Sequence, residues 1–124
     1  MLKNKIVTLT LLTVLHLNAD SLGSLLFHGN CITCHNEIKD ISAPSILSVR
    51  ENYLRAFPKR KDFIKYMSQW VIQPNAETSI MLDSVKKYKL MPLLGYEMIT
   101  IEDIAAYIYD TDFLQKHEGH RDKK

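Results

Sequence analysis

Apolar residues recur along the chain at the spacing of amphipathic helices, and no segment shows the alternation of a half-buried strand. The first such segment predicts a helix over residues 21–34, with an apolar side formed by Leu22, Leu25, Leu26 and Gly29. Gly23 and Phe27 lie four residues apart and therefore share a face of this helix. Because glycine destabilises a helix, its presence at position 23 indicates that another helix passes very close.

Two helices are predicted in the middle of the chain, after a loop over residues 36–45. Pro44 supports the loop because proline disfavours the helical conformation at the residue before it. The first helix is expected over 46–56, where Phe57-Pro58 ends it, and Pro58 then suits the start of the second helix. That second helix ends at Gln73-Pro74-Asn75, and its apolar stripe is formed by Phe63, Met67, Trp70 and Val71.

The last third of the chain predicts two more helices. A short one begins at Thr78 or Ser79 and runs to Tyr88. The last runs from Thr100 to Ile108, with Thr100 as its N-cap and a buried face formed by Ile101, Ile104, Ala105 and Ile108. After Phe113 the sequence becomes rich in His, Lys and Asp, and this tail is expected to be frayed. Together these elements predict an all-α fold.

The first nineteen residues have the composition of a secretory signal peptide. Lys3 and Lys5 form a positive region, the twelve residues 6–17 are largely apolar, and Ala19 provides a small residue at a cleavage point. Twelve residues are too few for a membrane span, which needs about twenty. We therefore expect export to the periplasm, no membrane span after cleavage, and one domain over 20–124 whose last ten or so residues form a charged tail. An uncleaved anchor is the alternative.

Charge argues against a nucleic-acid partner. The chain has 16 basic and 14 acidic residues, and removal of Lys3 and Lys5 makes the two numbers equal. The charges are unevenly distributed, because residues 50–89 contain nine basic and four acidic residues whereas 90–114 contain five acidic and no basic ones. The pattern suits either a dipolar protein that docks through its basic side or two solvated faces.

The motif Cys31-Ile32-Thr33-Cys34-His35 contains the only two cysteines of the chain. Two cysteines three apart, followed directly by histidine, are typical of covalent attachment of a c-type haem. Each thiol can form a thioether with one haem vinyl group, and His35 can bind the iron as the proximal ligand. A carbonyl of the following loop is expected to accept the other ring N–H of His35 and to fix its tautomer.

Three other interpretations of this motif are weaker. Structural zinc takes four Cys or His ligands, whereas the motif gives three, and His16, His28, His117 and His120 provide no convincing second pair. A dithiol redox motif normally follows a strand, which is not predicted here. A disulfide between Cys31 and Cys34 would close almost no loop and would stabilise the chain little.

In its order of elements the chain resembles the class I c-type cytochromes. Cys31, Cys34 and His35 match the attachment motif and the proximal ligand of that family, and Met91, followed by Pro92, matches the distal ligand 56 residues later. Four further positions match the family: the helix-contact residues Gly23, Phe27 and Tyr107, and the loop proline Pro44. Trp70 stands where some members have a tryptophan near a haem propionate.

The resemblance implies a cytochrome c fold, in which short helices surround one covalently bound haem c and the first and last helices cross. It implies His35 and Met91 as axial iron ligands, and therefore an electron carrier rather than an enzyme. The partners would be redox proteins, and Lys86, Lys87 and Lys89 are candidates for docking them. A second possibility is the haem-bearing subunit of a periplasmic oxidoreductase complex, for example one that oxidises sulfur compounds.

Overall fold

The structure, a computed structural model, describes residues 21–121, so the predicted signal peptide lies outside the described residues. Within that range the chain forms α-helices and one 3₁₀ turn without strands, which confirms the all-α class. The elements are α1 (Ser21–Asn30), α2 (Ile46–Ala56), α3 (Arg60–Ile72), the turn Ala76–Thr78, α4 (Leu82–Tyr88), α5 (Met98–Asp110) and α6 (Phe113–Arg121). No helix in this range combines the length and apolarity that a membrane crossing requires.

Helix α5 lies at the centre of the fold and packs mainly on α3 and α1. Its predicted buried face is confirmed, because Ile101, Ile104, Ala105 and Ile108 are all buried. The prediction of Thr100 as N-cap is wrong. The helix begins at Met98, and the backbone N–H groups of Thr100 and Ile101 already donate to the Glu97 carbonyl, so that Glu97 is the N-cap.

Helices α1 and α5 cross at Gly23, as its position in the sequence predicted. A Cβ atom at Gly23 would lie 2.6 Å from the carbonyl oxygen of Asp103 and 2.7 Å from Cβ of Tyr107. The Phe27 ring is fully buried, with its centroid 5.7 Å from that of Tyr107. The close approach explains why glycine occupies position 23.

The predicted apolar side of α1 is confirmed only for Leu26, which packs against the core, and the predicted end of the helix is wrong. Leu22 and Leu25 are 55% and 67% exposed, because the side of α1 that meets α5 is the one with Gly23 and Phe27. The helix ends at Asn30 rather than at Cys34. Its end is marked by the N–H groups of Cys31 and Ile32, which both donate to the Phe27 carbonyl.

The two middle helices follow the sequence pattern closely. Helix α2 has the predicted bounds, and Ser45 caps it by accepting a hydrogen bond from the N–H of Ser48 at 3.2 Å. Helix α3 begins two residues after Pro58, with Phe63 and Met67 buried. The predicted start of the next helix at Thr78 or Ser79 is wrong, because Ala76–Thr78 forms a separate 3₁₀ turn and α4 begins only at Leu82.

The predicted fraying after Phe113 is wrong as far as Arg121, since Phe113–Arg121 forms α6, and residues 122–124 lie outside the described range. Phe113 is fully buried, and its ring lies against Phe27 and Tyr107 with centroid distances of 6.3 and 6.0 Å. One turn later, Lys116 and His117 bind the carboxylate of Glu37. The tail is therefore packed on the fold at two points.

The expected separation of the basic and acidic segments on different faces does not hold everywhere. Arg60, in the basic segment, forms a bidentate ion pair with Asp110 at the end of α5, with N–O distances of 3.0 and 2.9 Å. Arg50 donates to the carbonyl oxygens of Ile108 and Tyr109 and so satisfies the C-terminal end of α5. These two arginines tie the middle helices to α5.

Candidate functional site

An apolar cavity of about 250 Å³ lies between the segment after α1 and helices α2 to α5. All six site residues proposed from the sequence line this cavity: Cys31, Cys34, His35, Pro44, Trp70 and Met91. Most of the remaining wall is aliphatic or aromatic and includes Ile46, Val49, Tyr53, Val71, Val85, Tyr88, Ile104 and Ile108. A cavity with apolar walls and a few polar groups suits a mostly apolar ligand.

The two thiols enter the cavity wall directly after α1. The chain continues there in tight turns, because the N–H of His35 donates to the Cys31 carbonyl at 2.8 Å. Cys31 is half-buried and Cys34 is exposed, and both are free thiols. Burial raises the pKa of Cys31 to about 11, with a further contribution from the charge of Cys34.

The zinc alternative would need ligands from outside the motif. In the described range 21–121, no group of three or more His, Cys, Asp or Glu side chains is arranged to hold a metal ion by itself.

The ring of His35 is held by one hydrogen bond. Its Nδ1–H donates to the carbonyl oxygen of Pro44 at 2.7 Å, which is the loop carbonyl expected from the sequence. Burial lowers the pKa of His35, although the hydrogen bond to Pro44 opposes this effect. The neutral ring then has its lone pair on Nε2, which is the form in which imidazole binds a metal.

Three hydrogen bonds fix the loop that provides this carbonyl. The carbonyl oxygens of Asn36 and Glu37 accept from the N–H groups of Ile46 and Leu47, at 2.9 and 3.0 Å. The N–H of Ser45, next to Pro44, donates to the carboxylate of Asp40 at 2.6 Å. These bonds close the loop 36–45 on itself and hold the Pro44 carbonyl where His35 can reach it.

Met91 lies in a non-helical segment between α4 and α5 and is half-buried. The backbone of Lys89, two residues earlier, has φ 73° and ψ 171°. Residues other than glycine rarely adopt this conformation, which costs about 1–3 kcal/mol. Such strain is concentrated at functional sites. Here it occurs in a lysine that itself lines the cavity, where the chain turns from α4 toward Met91.

Two further methionines line the cavity: Met67, which belongs to the apolar stripe predicted for α3, and Met81. Met81, the residue before α4, is half-buried, and Met67 on α3 is buried. Only Met91 is followed by proline. The cavity therefore offers more than one thioether, which makes the choice between Met91 and Met81 an experimental question.

Trp70 forms part of the cavity wall, and its polar atom is already satisfied. The indole N–H donates to the carbonyl oxygen of Asn75 at 3.0 Å. Trp70 also lines an adjacent groove, which shares Tyr53 and Ile80 with the main cavity. Its contribution to the site is therefore aromatic surface.

A buried carboxylate next to the motif was missed by the sequence analysis. Glu37 is 6% exposed and accepts hydrogen bonds from Lys116 Nζ, from His117 Nε2 at 2.6 Å and from His28 Nε2 at 3.0 Å. Burial by itself would raise the pKa of Glu37, but these hydrogen bonds outweigh it and the pKa is lowered. Because the partners lie up to 80 residues away, no local pattern could have indicated the cluster.

The three lysines proposed for docking lie at the end of α4 and just after it, and all are exposed. Lys86 is 3.9 Å from Asp83, which offsets part of its charge. The Nζ atom of Lys87 lies 4.8 Å from the centroid of the Tyr88 ring. Lys89 is the only one of the three that lines the cavity.

Comparisons of the chain with protein-family models, with curated proteins and with solved structures gave no match. A functional assignment therefore depends on the residues of the site themselves.

Proposed function

We propose that this protein is a monohaem c-type cytochrome with the cytochrome c fold, and that it transfers electrons in the periplasm. One observation carries the proposal. Cys31, Cys34, His35 and Met91, which resemble the cofactor-holding residues of class I c-type cytochromes in sequence, all line a single apolar cavity. The periplasmic location depends on the sequence of residues 1–19, which lies outside the described range.

Cys31 and Cys34 would hold the cofactor covalently. Each thiol would hold one haem vinyl group through a thioether, formed by addition of S–H across the vinyl C=C bond, so that sulfur binds one carbon, hydrogen binds the other and no oxidant is needed. His35 would bind the iron through Nε2 and Met91 through its sulfur. When bound, haem c would supply an iron that alternates between Fe(III) and Fe(II).

The protein's own residues orient the ligands and tune the site. The Pro44 carbonyl fixes the tautomer of His35 and increases the basicity of the ring. The thioether sulfur of Met91 is a soft ligand and favours the ferrous state. The apolar walls on α2, α3 and α5 exclude water and so disfavour the additional charge of the ferric state.

The same site also suits the haem-bearing subunit of a periplasmic oxidoreductase complex. The observation that favours this second candidate is the exposure of apolar side chains that follow Met91 in the sequence and do not line the cavity: Leu93, Met98 and Ile99. Leu93 and Ile99 are 73% and 63% exposed. Exposed apolar clusters commonly mark protein interfaces. Size-exclusion chromatography of the exported protein separates the candidates, because a subunit elutes with its partner and a free carrier elutes alone.

The proposal is tested by exporting the full chain in a host that attaches c-type haem. We expect a c-type α band in the reduced absorption spectrum and colour that stays with the protein after extraction with acid acetone. Replacement of both Cys31 and Cys34 by alanine should make the haem extractable. A colourless wild-type protein, or haem that extracts freely from it, would contradict the proposal.

A further inference from the structure

We propose that Glu37 is a positioning residue that couples the C-terminal helix α6 to the iron ligand His35. The inference rests on the proposed function, because it concerns the same haem ligand. It goes further in giving α6 a role at the redox site.

Glu37 joins three parts of the chain through its side chain. His28 reaches it from α1, and Lys116 and His117 reach it from α6. The His28 ring is held at both nitrogens, with Nδ1 2.7 Å from the Ser24 carbonyl oxygen and Nε2 3.0 Å from the Glu37 carboxylate. A buried carboxylate that loses such partners is costly, so Glu37 should move with them.

The backbone of Glu37 connects this cluster to His35. Its carbonyl oxygen accepts from the N–H of Leu47 at 3.0 Å, three residues after Pro44. The Pro44 carbonyl is in turn the acceptor for His35 Nδ1–H at 2.7 Å. A shift of Glu37 therefore displaces the start of α2 and, with it, the atom that orients the His35 ring.

Helix α6 is well placed to hold Glu37 still. Its first residue, Phe113, is fully buried against Phe27 and Tyr107 at the crossing of α1 and α5. Lys116 and His117 follow within the next helical turn. The helix is thus anchored on the core at one end and presents two nitrogen donors to Glu37 from a fixed position.

The test compares two variants of the haem-loaded full chain that change charge in opposite directions. Glu37→Gln removes the carboxylate charge, whereas Lys116→Ala with His117→Ala removes positive charge from the α6 side. Exposed Glu51 on α2 provides the matched control, Glu51→Gln. The readouts are the reduction potential and the paramagnetically shifted ¹H NMR resonances of the His35 ring in the ferric protein.

Positioning predicts that both variants shift the same His35 resonances in the same direction, by more than the control does. Charge alone predicts potential changes of opposite sign with unmoved His35 resonances, and that result would overturn the inference. If Glu37→Gln fails to accumulate, the α6 variant decides, because it leaves the loop after the motif unchanged. If the wild type carries covalent haem but neither variant shifts the His35 resonances, this inference alone is refuted. A wild type without covalent haem refutes the proposed function as well.

Discussion

Replacement of Gly23 by alanine should push α1 and α5 apart. The added Cβ would lie 2.6 Å from the Asp103 carbonyl oxygen and 2.7 Å from Cβ of Tyr107, both distances below those that real Cβ atoms show. Neither neighbouring atom can move away by a change of side-chain rotamer, because one is backbone and the other is attached to it. The helices must separate by several tenths of an ångström, which loosens the packing of Phe27 and Phe113 beside the crossing.

The size of the effect follows from two opposing terms. Alanine is favoured over glycine in a helix by about 1 kcal/mol. Overpacking of a closely packed contact costs about 1–3 kcal/mol. Gly29 is the matched control, because it lies in the same helix and a Cβ there meets no atom within 4 Å. Since the helical gain is common to both, the difference in free energy of unfolding between the two variants isolates the steric cost of about 1–3 kcal/mol.

The measurement is urea unfolding of the haem-loaded protein, followed by circular dichroism, for the wild type, Gly23→Ala and Gly29→Ala. We expect Gly29→Ala to be slightly more stable than the wild type and Gly23→Ala to be less stable than Gly29→Ala, with the slope against urea unchanged. If Gly23→Ala were as stable as Gly29→Ala, the close crossing of α1 and α5 would be wrong.

Three further predictions concern the region around Met91. Met91→Ala should remove the sulfur-to-iron charge-transfer band of the ferric spectrum, whereas Met81→Ala should retain it; the opposite result would make Met81 the ligand. Lys89→Gly should relieve backbone strain and raise the free energy of unfolding by about 1 kcal/mol, whereas Lys86→Gly, inside α4, should lower it by about 1 kcal/mol in the same urea titration. Oxidation of the ferrous protein by anionic ferricyanide should slow as added salt shortens the Debye length from about 30 Å at 0.01 M to about 10 Å at 0.1 M. Charge reversal at Lys86, Lys87 and Lys89 should make the oxidation rate depend less on salt. If the wild-type rate does not depend on salt, these lysines only solvate the surface.

The sequence predicted best where a local signal and the tertiary contacts agree. Helix α2 has the expected bounds because a proline precedes its cap, Ser45, and another proline follows its end. The sequence predicted the wrong buried side for α1 because Leu22 and Leu25 are as apolar as core residues. Their exposure is decided by the position of α5, which packs on the side with Gly23 and Phe27. Helix α6 was not predicted because its sequence is mostly polar. It packs on the fold through Phe113 and through Lys116 and His117, which bind the distant Glu37.

The two sides of the cavity differ in how their ligands are held, and this explains which site residues the sequence could specify. On the His35 side the thiols, the imidazole and the Pro44 carbonyl all lie within fifteen residues, and hydrogen bonds among residues 31–47 hold their arrangement. A local motif therefore encodes the geometry. On the other side, within the described residues, no hydrogen bond involves the backbone between Leu90 and Tyr96, and the position of Met91 depends on where α4 ends and on the strained turn at Lys89. Because Met81 reaches the same cavity from the start of α4, sequence spacing favours Met91 but cannot by itself separate the two sulfurs.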